Sequence, residues 1–334
     1  FHNSSTIPAQ APPPSESKSF PYLTLENDPA GIRSRDKNGA DLGIEVLTLE
    51  NNIRLNIKPT DFKPNSFLFN ACFGAGRGSE PASKPGLAIL ANLVIHGSGF
   101  GQISRDQLEE ALSGKKVNAS FTVSDNYFSI SGSANPSDAV TAFDIIRHYL
   151  MDPGLEPAAL ELAKTRYRQE FEGMARTVEG MMEIQGERFL AGGDTQFGMT
   201  HPDTIDQYTL SDIREWLWPV LKHAPVEVSI VGDIDPDQIL DLARSRLGRL
   251  PQRPGFASVN PGPGVQFPKA GRLTLEIDTK IDTALVKIAF LTDDYWDIFF
   301  EFNERIKTSF DENAITIPFP QRDVHLYEHK TETK

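Results

Sequence analysis

The chain has 334 residues, 39% hydrophobic and 24% charged, which is ordinary composition for a soluble globular protein with room for two packed units. Its formal net charge of −13 argues against nucleic acid or an anionic membrane surface as default partners. Cys72 is the single cysteine, so an internal disulfide and a thiolate metal cluster are excluded. The longest apolar run, residues 86–95, is far too short for a membrane span.

The first 40 residues are rich in Pro, Ser and Asn, a composition that predicts an extended or disordered linker. Because the chain starts at Phe1 rather than Met, we expect a piece of a longer polypeptide. Order is expected to begin near Gly43. Period-two alternation predicts a strand at 43–49, and the chain returns in a second strand at 53–57 after a turn at 51–52. A third strand is predicted at 66–73.

Helical periodicity, caps and further alternation predict the next elements. Ser104 is a good N-cap, and Pro136 can open a helix. The predicted helices lie at 87–95, 105–112, 136–150, 156–189, 211–217 and 235–247. The predicted strands lie at 117–123, 127–131, 226–231, 273–277 and 283–291.

These elements predict an α+β unit at residues 41–250, with an antiparallel sheet and helices packed on one face. A Pro/Gly-rich linker is expected at 251–271. Residues 272–297 begin a second α+β unit that is truncated. A helix and a terminal strand are expected in residues 298–334.

Several stretches together resemble the pitrilysin/insulinase family of zinc metallopeptidases. Their order and spacing carry the resemblance across residues 21–297. The stretches are 48–55 (TLENNIRL), 73–80 (FGAGRGSE), 86–88 (GLA), 231–235 (VGDID) and 277–286 (IDTKIDTALV). The opening Phe20-Pro21-Tyr22 and residues 58–62 are similar to the second, metal-free half of such a peptidase.

The resemblance implies a non-catalytic half that forms the wall of a peptide-binding chamber and supports proteolysis by a separate catalytic half. That partner would hold the zinc and cleave an extended peptide, which the sheet edge and inner wall of this chain could bind by strand addition. A periplasmic setting is implied. Two alternatives stay open: a degenerate or composite gene fragment without independent activity, and a self-sufficient zinc peptidase.

The family's H-x-x-E-H motif places two His on one helix face, with a Glu that activates the zinc-bound water. The resemblance maps these three positions onto Ile89, Asn92 and Leu93, so neither a ligand nor a base remains. We therefore expect no catalytic residue and no zinc in this chain. Glu170 maps near the family's downstream Glu ligand, as a relic or as a solvated surface group. His96 is expected to be an ordinary helix-end residue.

A literal H-x-x-E-H occurs in the tail as His325, Glu328 and His329. Two prolines shortly before it exclude a continuing helix, and residues 323–328 alternate as a strand does. In a strand the two His would be about 13 Å apart, from roughly 3.3 Å per residue. A shared zinc needs ligands at about 2 Å, so we expect no metal site here.

The tail itself resembles the cytoplasmic C-terminus of small mechanosensitive channels. The stretches that carry this resemblance, within about residues 295–334, are 295–298 (YWDI), 303–307 (NERIK), 310–313 (FDEN) and 317–326 (IPFPQRDVHL). In those channels a helix and a final strand help to assemble a cytoplasmic vestibule. Because no channel membrane helix is present in this sequence, pore function is excluded. The residues with which the peptidase family continues past this point are also missing, so we interpret the chain as composite, joined near residues 295–297.

Overall fold

The structure, a computed structural model, describes residues 19–24, 29–36, 42–255, 271–277, 284–287 and 295–315. The chain divides into two compact units, Phe1–Leu285 and Val286–Lys334. The strands are β1 (Ile32–Asp36), β2 (Glu45–Leu49), β3 (Arg54–Pro59), β4 (Phe67–Phe73), β5 (Val117–Val123), β6 (Phe128–Ala134) and β7 (Val226–Gly232). The longer helices of the first unit are α1 (Leu87–Gly97), α2 (Arg105–Leu112), α3 (Ala139–Met151), α4 (Pro157–Met174), α8 (Leu210–His223) and α9 (Pro236–Arg246). Three single-turn helices are α5 (Val178–Met181), α6 (Glu187–Leu190) and α7 (Pro202–Ile205).

The seven described strands form one sheet in the order β1-β2-β3-β7-β4-β6-β5. Neighbouring strands are antiparallel except β3 and β7, which run parallel from Arg54 opposite Glu227 to Pro59 opposite Gly232. Strand β7 therefore enters between two strands that precede it by more than a hundred residues. Strand β5 is left at one edge, paired on one side with β6.

The two faces of the sheet differ in burial. In β4 the side chains of Phe67, Phe69 and Phe73 are buried, whereas Leu68 and Asn70 between them are exposed. The buried face joins one apolar core with side chains of α1, α3, α4, α8 and α9. Because side chains alternate across a strand, one face carries the helices and the other is open. The predicted α+β class with helices on one face is confirmed. The prediction of an antiparallel sheet is wrong in part, because β7 pairs in parallel with β3 and the sheet is mixed.

Local capping explains where two of the helices begin. The Ser104 hydroxyl accepts the Gln107 N–H, and the Gln107 side chain accepts the Ser104 N–H, so α2 starts with a capping box. The Asp235 carboxylate accepts N–H groups of Asp237 and Gln238 at the start of α9. The N-cap predicted at Ser104 is confirmed.

The predicted linker at residues 1–40 is wrong in part, because ordered structure begins before Gly43. Strand β1 pairs with β2, for example Asp36 with Val46. Further upstream, the Tyr22 hydroxyl donates to the Asp152 carboxylate at 2.9 Å. The sequence IRSRD has no apolar alternation that would predict a strand. The strand forms nevertheless, because its pairing with β2 uses backbone groups that every residue has.

Two further predictions need correction. The long helix predicted at 156–189 ends at Met174, because the Thr177 hydroxyl accepts the Gly180 N–H and starts α5. A π-helical turn, Met182–Gly186, follows. No strand forms at 273–277 or 284–287 within the described residues, and the rest of the strand predicted at 283–291 lies outside them.

The second unit contains one helix in its described part, α10 (Tyr295–Glu312). Two ion pairs stabilise its exposed face at the (i, i+4) spacing: Arg305 with Glu301, at 2.6 Å, and Lys307 with Asp311, at 2.9 Å. A helix was predicted here. The predicted terminal strand lies outside the described residues. Among the helices that the structure describes, none combines the length and apolar character needed to cross a bilayer.

Candidate functional site

Helix α1 occupies the position where the resemblance places the catalytic helix. Gly86, just before it, has a φ of 85°, in the left-handed region that favours glycine. A Cβ at Gly86 would also lie 2.6 Å from the Ile205 side chain. Both the positive φ and the close approach to α7 therefore require glycine at the start of α1.

A buried carboxylate holds the first turn of α1. Glu80 is 5% exposed, and its Oε1 accepts the Ala88 N–H at 2.6 Å. Burial raises the pKa of Glu80, while the Ala88, Gly86 and Leu87 N–H groups and the Arg77 guanidinium act in the opposite direction. The acid thus satisfies N–H groups that have no partner inside the helix.

The face mapped onto the zinc motif is half-buried and has no zinc-binding chemistry. Ile89 and Leu93 pack against the core with hydrocarbon side chains. Between them, the Asn92 Oδ1 accepts the Val123 N–H at 3.0 Å. Zinc requires imidazole, thiolate or carboxylate ligands, so these residues do not fit the metal that the family implies. In the described part of the chain, no group of three His, Cys, Asp or Glu side chains is placed to hold a metal ion.

The other residues singled out from the sequence are not gathered at this face. Glu170 is exposed on α4, and its role as a relic ligand stays a prediction. His96 is exposed in the last turn of α1, where its carbonyl accepts a hydrogen bond from Arg105 Nη1 at 3.2 Å. The tail motif of His325, Glu328 and His329 lies outside the described residues.

Within the described residues, the edge strand β5 has backbone groups beside α1 that no other strand pairs with. The Ser124 N–H donates to Tyr127 and the Asn135 N–H donates to Lys116, so the even-numbered residues of β5 face β6. The odd-numbered residues consequently point their N–H and C=O groups outward. Asn92 already occupies the Val123 N–H. The stretch from Val117 to Phe121 therefore forms an edge that could accept another strand.

The open sheet face is polar with a small apolar patch, a feature that the sequence reading missed. Asn56 donates to Glu227 at 2.7 Å and to Ser229 at 3.1 Å across the parallel pair. Leu68, which is 63% exposed, lies opposite the exposed Val231 on the neighbouring strand. The placing of Phe67, Phe69 and Phe73 at odd-numbered positions was the signal that could have located this face, because it assigns Leu68 and Asn70 to the opposite side.

Sequence and structure comparisons agree with this arrangement. Residues 208–305 match the peptidase M16 inactive domain. The chain is 22% identical over 220 residues to the chloroplast stromal processing peptidase of Pisum sativum, covering 65% of this chain and 18% of that one. The crystal structure of the periplasmic protease PqqL from Escherichia coli has a TM-score of 0.63 at 21% identity, over 75% of this chain and 28% of that one.

Pitrilysin itself shares the fold, with a TM-score of 0.52 at 13% identity over 74% of this chain and 25% of pitrilysin. The resemblance to pitrilysin/insulinase peptidases is confirmed. The chain spans less than a third of the length of these three relatives.

The channel resemblance has narrower support. A segment of 35 residues is 57% identical to the small-conductance mechanosensitive channel of Edwardsiella ictaluri (strain 93-146), and it covers 10% of this chain and 12% of the channel. The composite origin of the chain stays a prediction.

Proposed function

We propose that this chain is the non-catalytic half of an insulinase-like zinc metallopeptidase and supports proteolysis by a separate catalytic half. One observation carries the proposal: α1 lies beside the edge of β5, and Ile89, Asn92 and Leu93, onto which the resemblance maps the zinc motif, offer no imidazole or carboxylate. The match of residues 208–305 to an inactive domain supports it.

In this function the first unit forms part of the wall of a peptide-binding chamber. An extended peptide pairs with β5 through the outward N–H and C=O groups of residues between Val117 and Phe121. Backbone pairing supplies affinity with little sequence preference, as a chamber wall requires. Because PqqL is a periplasmic protease, we extend the same setting to this chain.

Peptide binding to the full chain tests whether the edge of β5 pairs with an extended peptide. Fluorescence anisotropy with a labelled, unstructured decapeptide should detect binding that Ala119→Pro abolishes, because proline removes the outward N–H of the edge. The ladder to β6 does not use that N–H. Ala119→Ser, which keeps the N–H, is the matched control. Equal binding by both variants would contradict edge pairing.

A second experiment tests the partnership. A zinc-loaded half with an intact H-x-x-E-H motif, taken from the same genome, should bind this chain in gel filtration and cleave the peptide faster in its presence. The alternative, a composite fragment without activity, is favoured by the short channel match. Absence of both binding and stimulation would support that alternative.

A further inference from the structure

A polar groove of about 470 Å³ lies at one end of the sheet, where β5 begins, β6 ends and the loop before β4 passes. Its lining, as far as the chain is described, includes Lys63, Lys115 and Lys116 and contains no Asp or Glu. Asn118 and Ser133, which bond to each other at 2.8 Å, form part of its floor. Nothing in the function proposed above uses this groove.

The local charge of the groove is opposite to that of the whole chain, whose net charge is −13. Two carboxylates lie nearby, and both are engaged with backbone N–H groups. Asp138 accepts the Lys116 N–H at 2.9 Å and also lies 3.6 Å from the Lys115 ammonium. Asp233 accepts the Asn65 N–H at 2.6 Å.

Two of the three lysines keep their charge available to a ligand. Within the part of the chain that the structure describes, Lys63 and Lys116 form no ion pair with a carboxylate. Both residues are exposed. Two ammonium groups beside Asn and Ser side chains form a site of positive charge and hydrogen-bond donors, which suits an oxyanion.

The groove is continuous with the free edge of β5. Val117 is both the first residue of β5, with its backbone pointing outward, and part of the groove lining. A strand added to β5 advances about 3.3 Å per residue. The residue that follows the pairing segment past Val117 therefore arrives beside Lys115 and Lys116.

We propose that the groove binds the carboxylates of an acidic peptide segment whose neighbouring residues pair with β5. This proposal rests on the peptide-binding function stated above and adds the substrate class: peptides with Glu, Asp or a free C-terminus next to the paired segment. Since Lys ammonium groups act as point charges, the groove selects negative charge, and the selection weakens as ionic strength rises.

The test uses the full chain and two labelled decapeptides that differ only at the last three residues and the terminus: Glu with a free carboxylate, or Gln with an amide. We expect the acidic peptide to bind roughly three- to tenfold more tightly at low salt. The double variant Lys63→Gln/Lys116→Gln should remove this difference. Lys164→Gln/Lys222→Gln, on α4 and α8, is the control with the same change in net charge.

Four outcomes overturn the proposal. If the lysine variant leaves the acidic preference intact while Ala119→Pro abolishes binding, edge pairing stands and the groove proposal is wrong. If the control variant also loses the preference for the acidic peptide, binding responds only to the net charge of the protein and the groove proposal is wrong. If millimolar inorganic phosphate displaces the acidic peptide at unchanged ionic strength, the groove is a phosphate site. If neither peptide binds, both proposals are wrong.

Discussion

Asn92 in α1 accepts the backbone N–H of Val123 in β5, with 3.0 Å between Oδ1 and nitrogen. The position onto which the resemblance maps the family's general base thus holds a neutral amide that ties the helix to the edge strand. The bond has a second effect, because it removes one outward N–H from the edge. A bound peptide is left with the stretch from Val117 to Phe121.

Asn92→Ala should destabilise the first unit, because the Val123 N–H loses its acceptor. The expected loss is about 0.5–1.5 kcal/mol, typical of one hydrogen bond. Asn92→Asp keeps an acceptor oxygen and should retain most of the stability. Urea unfolding of both variants at pH 7 checks this, and equal losses in the two would show that the bond contributes nothing.

Restoring the motif with Ile89→His, Asn92→Glu and Leu93→His should give a less stable protein with weak zinc binding at best. The hydrocarbon side chains of Ile89 and Leu93 pack against the core, and polar replacements should lower stability by about 1–3 kcal/mol. Leu162→His, at a site 47% exposed on α4, should change the melting temperature little. A triple variant with the same melting temperature as the wild type would show that this face of α1 is not packed against the core.

The unmodified chain should carry no stoichiometric zinc after gel filtration, because its motif positions hold Ile89, Asn92 and Leu93. Elemental analysis by mass spectrometry measures this directly. One tightly held zinc per chain would contradict the expectation. His325→Ala and His329→Ala would then show whether the tail motif holds it.

His148 is a buried titratable group beneath the N-terminal segment. Its side chain is enclosed by the rings of Phe20, Tyr22 and Phe100, with centroids 4.7–5.0 Å away. Its Nδ1 lies 2.6 Å from the Asp144 carbonyl oxygen. Burial is the main cause that lowers the pKa of His148 to about 4, since the imidazolium cannot be solvated there.

Stability should therefore fall between about pH 6.5 and pH 4, where the unfolded chain binds a proton at His148 and the folded chain does not. The resulting loss in the free energy of unfolding is roughly 3 kcal/mol, from 1.36 kcal/mol per unit of pKa difference between the unfolded and the folded chain. Below the pKa of His148 in the folded chain, we expect no further loss of stability from this residue. His148→Phe should flatten the decline in urea unfolding, whereas His96→Gln, at an exposed position, should not. Parallel curves for both variants would contradict the assignment.

Glu80→Gln should be tolerated, because burial raises the pKa of Glu80 and a neutral amide keeps an acceptor for the Ala88 N–H. Glu80→Ala removes the acceptor from a buried helix start and should cost about 1–3 kcal/mol. Thermal melts of the two variants at pH 7 separate these outcomes. A Gln variant as unstable as the Ala variant would mean that the charge itself holds α1.

The residues alone determined six of the seven described strands and the lack of zinc ligands at Ile89 and Leu93. In β4 the aromatic residues Phe67, Phe69 and Phe73 all fall on one side of a period of two, so the strand and its buried face follow from local sequence. The caps at Ser104 and Asp235 act within one helical turn and are equally local. Ile89 and Leu93 cannot supply zinc ligands in any fold, because their side chains contain no donor atom.

Only the tertiary structure decided which distant segments meet. Strand β1 is polar and pairs through backbone groups, so its sequence gives no signal. The parallel insertion of β7 beside β3 joins residues more than 170 positions apart. Lys63 and Lys116 share a groove, and Asn92 reaches Val123, because the sheet brings their segments together. Local patterns select an element and its face, but the neighbours of that element depend on long-range packing of the whole core.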